Sequence, residues 1–444
     1  MLKTFRIGGV HPPERKLSSG SPIEVMPLPQ VVQIPVAQHI GAPAVPLVKR
    51  GDEVKVGTPI AKAGGFISAN IHSSVSGSVQ KIEEVTDASG YPKTVITIKA
   101  DGNDTWEESI DRSTEIKREI TLTPEEITKR IAECGVVGMG GATFPTNVKL
   151  LPPKDATPEV VIINGVECEP YLTADHRVML ERGEELLIGT TILMKAAGVT
   201  RGVIGVENNK KDAIKHLQSL AKAYPGVEIQ PLKVKYPQGG EKQLIDAILH
   251  RQVGSGQLPI TVGAIVQNVG TALAVYEAVQ KNKPLFERVV TVTGTPLANP
   301  SNFLVRIGTD SAALIEQAGG LPDACVKVVS GGPMMGKALV SDSVPVTKGT
   351  SGILLLEEKE TKRRPMRNCI RCAKCVSACP MGLNPAFLMR DTVFKDWEEL
   401  EKSHVVDCIE CGSCSFTCPA NRPLLDHIRQ GKRTVMGIIR SRKS

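Results

Sequence analysis

Cys369-Ile-Arg-Cys372-Ala-Lys-Cys375-Val-Ser-Ala-Cys379-Pro380 is answered, 39 residues on, by Cys408-Ile-Glu-Cys411-Gly-Ser-Cys414-Ser-Phe-Thr-Cys418-Pro419. Eight of the chain's eleven cysteines lie in these two runs. Iron in a [4Fe–4S] cubane takes one thiolate per metal, and C-x2-C-x2-C wraps three of the four corners. The fourth ligand then comes from the other run, because each distal cysteine lies beside the opposite cluster. Cys369, Cys372, Cys375 and Cys418 are therefore assigned to one cluster, and Cys408, Cys411, Cys414 and Cys379 to the other. Pro380 and Pro419 turn the chain away after the distal ligands. Zinc fits poorly, since its sites use paired C-x2-C units rather than three ligands plus a distant fourth followed by proline. Such a module moves single electrons.

Basic residues crowd this region. Lys362, Arg363, Arg364, Arg367, Arg371 and Lys374 surround the first run. Lys432, Arg433, Arg440, Arg442 and Lys443 follow in a tail without an acidic residue, and the net charge is +7. A basic face suits an acidic ferredoxin, anionic lipid or a membrane partner, against the plain alternative of a solvated surface. No nucleic-acid-binding motif accompanies the charge. No apolar stretch reaches roughly 18 residues, so no membrane-spanning helix is expected. The N-terminus lacks the apolar core of a signal peptide. Cysteines at cluster spacing in such a chain imply a reducing cytoplasm, and any membrane association would be peripheral.

At 444 residues the chain is too long for one core, and its 41 Gly and 31 Pro imply many turns. Several small α/β and β-rich units are expected. Residues 1–30 read as a Pro-rich extended arm. Residues 31–100 give short β-prone runs punctuated by Gly, and resemble a lipoyl- or biotinyl-type barrel-sandwich hybrid. The hairpin tip, Phe66-Ile-Ser-Ala-Asn70, lacks the lysine that would carry a swinging cofactor, so the domain reads as structural or docking. Residues 101–120 are a polar linker. Thr123-Pro-Glu-Glu126 then opens a helix by a capping box. Over 121–283, strands at 160–164, 202–206 and 260–266 alternate with helices at 184–197, 210–223 and 241–251, which predicts a parallel, doubly wound, Rossmann-like α/β domain. Residues 284–356 give short strands around a helix at 311–318, a small α+β, β-grasp domain. Residues 357–430 hold the cysteine module, with a helix over 385–401 between the runs, and 431–444 form the basic tail. Cys134, Cys168 and Cys325 are expected to pack as small hydrophobes.

Gly138-Met-Gly140-Gly141-Ala-Thr-Phe144-Pro-Thr-Asn-Val-Lys149 fails as a Rossmann fingerprint, because it follows a helix and has Thr143 at the third glycine site. Other segments supply polar groups beside it: Asn164-Gly-Val-Glu167-Cys168-Glu169-Pro170 with Asp175 and Arg177, Tyr236-Pro-Gln-Gly239-Gly240-Glu241, and Gln267-Asn268-Val-Gly-Thr271. Glycines let backbone N–H groups approach a phosphate, and helix N-termini favour the anion. Strand C-termini are where open α/β sheets bind ligands.

Together these segments resemble the NADH- and FMN-binding flavoprotein subunit of respiratory complex I, whose pattern reads G-R-G-G-A-G-F-P-T-G-x-K, N-x-D-E-x-E-P, Y-x-x-G-E-E and N-N-V-E-T. The resemblance covers roughly residues 120–356. It implies that Gly138, Gly140, Gly141 and Lys149 line FMN, that Asn164 and Glu167 lie near the flavin ring, and that Gln267, Asn268 and Thr271 surround it. It places Phe144, Glu169 and Glu241 at or near the nicotinamide nucleotide, and Gly239 is a further candidate cofactor-binding residue. The chain departs from the pattern at Met139, Val166, Gly240, Gln267 and Gly270, and it carries two clusters rather than one.

The whole order of parts, ending in a bacterial-ferredoxin-like α-helical module with two clusters, resembles the C-subunit family of the Rnf complex. That resemblance implies a peripheral subunit, on the cytoplasmic side of the membrane, of an ion-translocating NAD⁺:ferredoxin oxidoreductase. Electrons would pass between NAD(H), FMN and two [4Fe–4S] clusters, and the A, B, D, E and G subunits would be partners, the ferredoxin-like B subunit above all. Two other readings stand beside it: a soluble diaphorase-type subunit of a hydrogenase or formate dehydrogenase, and an electron-relay scaffold without NADH activity.

Overall fold

Four parallel strands form the centre of the computed structural model, which describes residues 2–86, 91–153 and 155–442. In chain order they are Val160–Gly165, Gly202–Glu207, Val227–Leu232 and Ala264–Asn268. Across the sheet the order is Val227–Leu232, Gly202–Glu207, Val160–Gly165, Ala264–Asn268. Val160 to Ile163 are all buried, as a parallel sheet covered on both faces requires. Val161 and Ile163 pack toward helices Gly183–Ala197 and Val269–Lys281, and Val160 and Ile162 toward helix Glu241–Leu249. The strand order reverses between Val160–Gly165 and Ala264–Asn268, and Asn164 pairs with Asn268 at the C-terminal end of that seam. This is the switch point where doubly wound sheets take ligands.

Local signals explain most of the elements. Thr123 Oγ1 accepts from the Glu126 amide while the Glu126 carboxylate accepts from the Thr123 amide, and helix Pro124–Glu133 starts there. Two expected elements differ in detail, and a third element, an edge strand, was not expected. The segment 260–266 divides into a 3₁₀ turn, Pro259–Val262, and a strand, because Gly263 between them takes φ +74°. The helix expected over 385–401 is two helices, Pro385–Phe394 and Trp397–Lys402. Lys395 adopts a left-handed φ of 57°, and Asp396 caps the second helix by accepting from the Glu399 amide. The edge strand Val227–Leu232 is only intermittently buried, so no clean alternation marked it in the sequence.

Val31–Pro35, Pro92–Ala100, Gly77–Thr86 and Glu53–Val54 form one small sheet, and Val45–Pro46, Pro59–Lys62 and Ile71–His72 another. Ile34, Ile60, Ile71, Ile96 and Ile98 are buried between them. Residues 101–120 contain no helix or strand but are packed down: Trp106 meets Phe286 edge-on at 5.1 Å, and Ile110 is buried with Val56. A mixed sheet of six strands follows, ordered Ile23–Val25, Ser301–Arg306, Glu287–Thr293, Gly352–Glu357, Cys325–Ser330, Lys337–Ala338. Its first strand comes from the N-terminal arm. The arm also forms bridges from Lys3 to Leu232 and from Val10 to Tyr236, so it straps several units together.

In the cysteine module, Leu388, Met389, Leu400, Leu424, Ile428 and Val435 make a separate core. Helix Leu424–Ser441 runs through the expected boundary at 430/431. The basic tail is therefore the second half of that helix, anchored by buried Val435 and by the Arg442–Glu401 ion pair. Lys443 lies outside the described residues. Among the described residues no helix is long and apolar enough to cross a membrane.

Candidate functional site

The two cysteine loops share a backbone as well as a spacing. Arg371, Ala373 and Gly382 take φ of 54°, 57° and 68°; Glu410, Gly412 and Asn421, each 39 residues later, take 58°, 78° and 52°. Repeated left-handed residues curl both loops in the same way.

Their surroundings differ. Cys379, Cys408, Cys411 and Cys414 line one cavity of about 350 Å³ including its mouth, with Leu388 and Ile428 among its apolar walls. The distal cysteine of the first run thus shares a cavity with the three proximal cysteines of the second. Backbone amides of Met381, Gly382 and Leu383 face the Cys379 sulfur, and the Glu410 amide donates to Cys408 Sγ at 3.4 Å. Burial pushes the Cys408 thiol up to about 11 and the Cys414 thiol to about 12. Four sulfurs that line one cavity within electrostatic reach of one another, with N–H donors at Cys379 and Cys408, suit a cubane, whose iron supplies the positive charge that thiolates need there. The other set is more open: Cys369 and Cys372 are exposed, and Cys375 and Cys418 are half-buried and within electrostatic reach of each other.

At the switch point of the parallel sheet the predicted flavin residues converge. Gly138 donates to the Phe144 carbonyl, and the Met139 amide to Thr271 Oγ1 at 2.9 Å. A Cβ on Gly140 would stand 3.1 Å from Asn268 Cβ, so the loop lies directly on the helix start that Asn268 caps. Gly141, with φ +133°, has open space beside it. Asn164 Nδ2 donates to the Gly239 carbonyl at 2.8 Å, and Asn268 Nδ2 to Asp175 Oδ2 at 2.6 Å. Gln267 is buried with both side-chain polar atoms unpartnered. Buried amides without partners signal a missing polar group. Together with a glycine cradle at the switch point, this donor set fits a flavin phosphate and ring.

Four predicted carboxylate and cation positions are occupied by protein contacts. Glu167, at φ 47°, accepts from the amides of Asp175 and His176. Lys149 Nζ donates to Glu241 Oε1 at 2.9 Å and to the Val266 carbonyl. Glu169 turns to the β-grasp domain, where it accepts from the amides of Met334 and Met335 at 3.0 and 2.8 Å. Burial raises the Glu169 carboxyl to about 7. Two departures from the complex I pattern touch each other: a Cβ on Gly270 would lie 3.4 Å from Met139 Cε. Gly240 leaves room for Gln243, whose Oε1 would be 2.4 Å from an added Cβ. Phe144 is half-buried in the loop.

Sequence reasoning missed Lys16. It leaves the arm and donates to the carbonyls of Glu167, Glu169 and Leu172, and burial lowers it to about 8. An open cavity of about 580 Å³, lined by His11, Glu14, Lys16, Cys168, Glu207 and Tyr236, lies beside it. Cys168 is half-buried against Gly239 and burial raises its thiol, so it packs rather than reacts. Cys134 is fully buried, whereas Cys325 is half-buried on the β-grasp sheet.

These features define a multidomain flavin and iron–sulfur electron-transfer protein. Family models agree segment by segment: an RnfC barrel sandwich hybrid domain over residues 3–103, a Nuo51 FMN-binding domain over 131–277, an SLBB domain over 289–338 and a 4Fe-4S dicluster domain over 368–422. The chain is 47% identical to the C subunit of the proton-translocating ferredoxin:NAD(+) oxidoreductase complex of Clostridium ljungdahlii, over 87% of this chain and 84% of that one. It is 44% identical to the Na(+)-translocating counterpart of Acetobacterium woodii, over 98% and 97%. With the C subunit of the ion-translocating oxidoreductase complex of Rhodobacter capsulatus it shares 42% identity over 97% and 83%. Among solved structures, an NAD+-reducing [NiFe]-hydrogenase in the H2-reduced state overlaps with a TM-score of 0.49 at 19% identity, covering 70% of this chain and 63% of that one. The chain belongs to the RnfC family, the C subunits of ion-translocating ferredoxin:NAD⁺ oxidoreductases.

Proposed function

We propose that this chain is the electron-input subunit of such a complex, peripheral to the cytoplasmic side of the membrane, and exchanges electrons between NAD(H) and a ferredoxin-like partner. The observation that carries the reading is the contact between the cavity of Cys379, Cys408, Cys411 and Cys414 and the flavoprotein domain: Tyr236 Oη donates to the Cys411 carbonyl at 2.8 Å. When bound, FMN interconverts hydride and single-electron chemistry, and the two cubanes carry electrons one at a time. The loop from Gly138 to Phe144 and the helix starts at Asn268 and Gly240 would bind the flavin phosphate through backbone N–H groups. Asn164 and Gln267 would orient the ring, and Phe144 and Glu241 would hold the nucleotide. Lys149 would exchange Glu241 for the phosphate as FMN enters.

The second cysteine set would face the partner. Cys369 and Cys372 are exposed among Arg364, Arg367, Arg371 and Lys374, also exposed. That charge suits an acidic, ferredoxin-like B subunit, with A, D, E and G as membrane partners. Anaerobic reconstitution followed by iron, flavin and NADH titration tests the reading. About eight irons per chain, bound FMN and bleaching by NADH are expected. Eight irons without flavin or NADH response would leave only an electron relay, a reading favoured by the engagement of Glu169 with Met334 and Met335. Cys372→Ala should remove one cluster and spare flavin reduction; loss of NADH-driven bleaching in the folded variant would contradict the separation of the sites.

A further inference from the structure

The cavity of Cys379, Cys408, Cys411 and Cys414 is lined by the cysteine module, but the segments that carry its ligands are held from behind by other units. Tyr236, 2% exposed, comes from the flavoprotein domain and anchors the Cys411 carbonyl. Its backbone exchanges two hydrogen bonds with Val10 of the arm, at 2.8 and 2.9 Å. One residue earlier in the arm, Gly9 donates to the Ala378 carbonyl at 3.0 Å, immediately before Cys379. Gly8 is closer still. A Cβ there would lie 2.4 Å from the Cys379 carbonyl carbon and oxygen and 2.7 Å from the Pro380 nitrogen, and its φ is +72°. Both the space and the backbone angle demand glycine. From the next helix, Gln243 Nε2 donates to the Pro380 carbonyl at 3.2 Å. Two ligand segments, at Ala378–Pro380 and at Cys411, are thus clamped from outside by the arm and the flavoprotein domain.

The repeated site has different ties. Arg367 donates to the Ala420 carbonyl, Asn421 Nδ2 to Pro365 and Arg422 to Arg367, all within the module. The repeat in sequence and loop conformation is therefore broken by what covers each copy. Burial disfavours the extra negative charge of a reduced cluster, and nearby cations favour it. At the buried copy, Lys432 and Arg429 are both paired to Glu410, which offsets part of their charge.

We propose that Tyr236 and the Gly8–Gly9 pair are positioning residues for the cluster of Cys379, Cys408, Cys411 and Cys414, fixing the Cys411 and Cys379 loops that keep water from it and so holding its reduction potential below that of its repeat twin. The proposal rests on the cluster assignment of the preceding reading. Redox titration of the reconstituted full chain followed by electron paramagnetic resonance tests it. In the parent, two midpoints are expected, and the Cys372→Ala background identifies which signal belongs to the buried cluster. Tyr236→Phe should raise that lower midpoint and leave the other in place, with iron content unchanged. Gly8→Val should shed about four of about eight irons, while Gly20→Val, at a glycine with nothing within 4 Å of its added Cβ, retains them all. Intact iron with both midpoints unmoved in Tyr236→Phe, or an equal shift in both, overturns the proposal alone. A parent chain that takes up no cubane iron overturns the preceding reading instead.

Discussion

Glu169, which the resemblance to the flavoprotein subunit puts near the nicotinamide nucleotide, is held by contacts within the protein. Its carboxylate is desolvated and engaged by two β-grasp amides. A carboxyl whose folded-state value rises from 4.5 to about 7 binds more protons folded than unfolded. Its contribution to stability is present below about pH 4.5 and is lost as pH rises through about 7. Glu169→Gln should remove this dependence, so the melting temperature of the variant should gain on the parent between about pH 5 and about 7.5. A constant difference across that range would mean that the carboxyl titrates normally. The candidate flavin residues could be singled out individually, because glycine and amide clusters ahead of helices have a physical reason. Lys16 could not, because nothing in a lysine within a Pro-rich arm signals three carbonyl acceptors more than 150 residues away.

Among elements, the helices of the cysteine module are set by crossing geometry as much as by propensity. Gly431 sits in the middle of Leu424–Ser441, where a glycine costs roughly 1 kcal/mol against alanine. A Cβ there would stand 2.4 Å from Thr392 Oγ1 and 3.1 Å from Leu400 Cδ1, so its absence lets two helices approach. Gly431→Leu should overpack this contact by about 1–3 kcal/mol and accelerate iron loss on warming; iron retention equal to the parent's would show that the helices can separate freely. In the flavoprotein domain, Thr123→Ala removes the N-cap acceptor of Pro124–Glu133 and should cost about 1 kcal/mol, seen as faster amide exchange over that first turn. The division of 385–401 into two helices escaped prediction because Lys395, a good helix former, is driven left-handed by the Asp396 cap beyond it.

At the scale of the whole molecule, Lys348 joins three units. Its buried ammonium donates to the carbonyls of Asn70, from the barrel sandwich, and Gly135, beside the flavoprotein core, while its own amide donates to Gln38 Oε1. Burial lowers it to about 7. Lys348→Met would strand two carbonyls, each worth roughly 1–3 kcal/mol when left unpaired. Hydrogen exchange should rise first around Asn70 and Gly135 and later in the cysteine module, whose core is separate. Uniform loosening of all units would contradict this joint. The arm has the complementary role: Ile23–Val25 extends the β-grasp sheet, and Gly9 reaches the cysteine module.

Local chemistry determined the parts. Thiolate spacing specified two cubane-type ligand sets, alternating strand and helix patterns specified a parallel sheet, and the capping box at Thr123 specified a helix start, because each depends on residues only a few positions apart. The tertiary structure decided how those parts meet. It buried one member of an evenly spaced repeat and left the other exposed, turned Glu169 to the β-grasp loop, and used the arm to clamp Cys379 through Gly8 and Gly9. Those outcomes come from contacts between segments hundreds of residues apart, where burial and steric fit act on surfaces that no local pattern encodes.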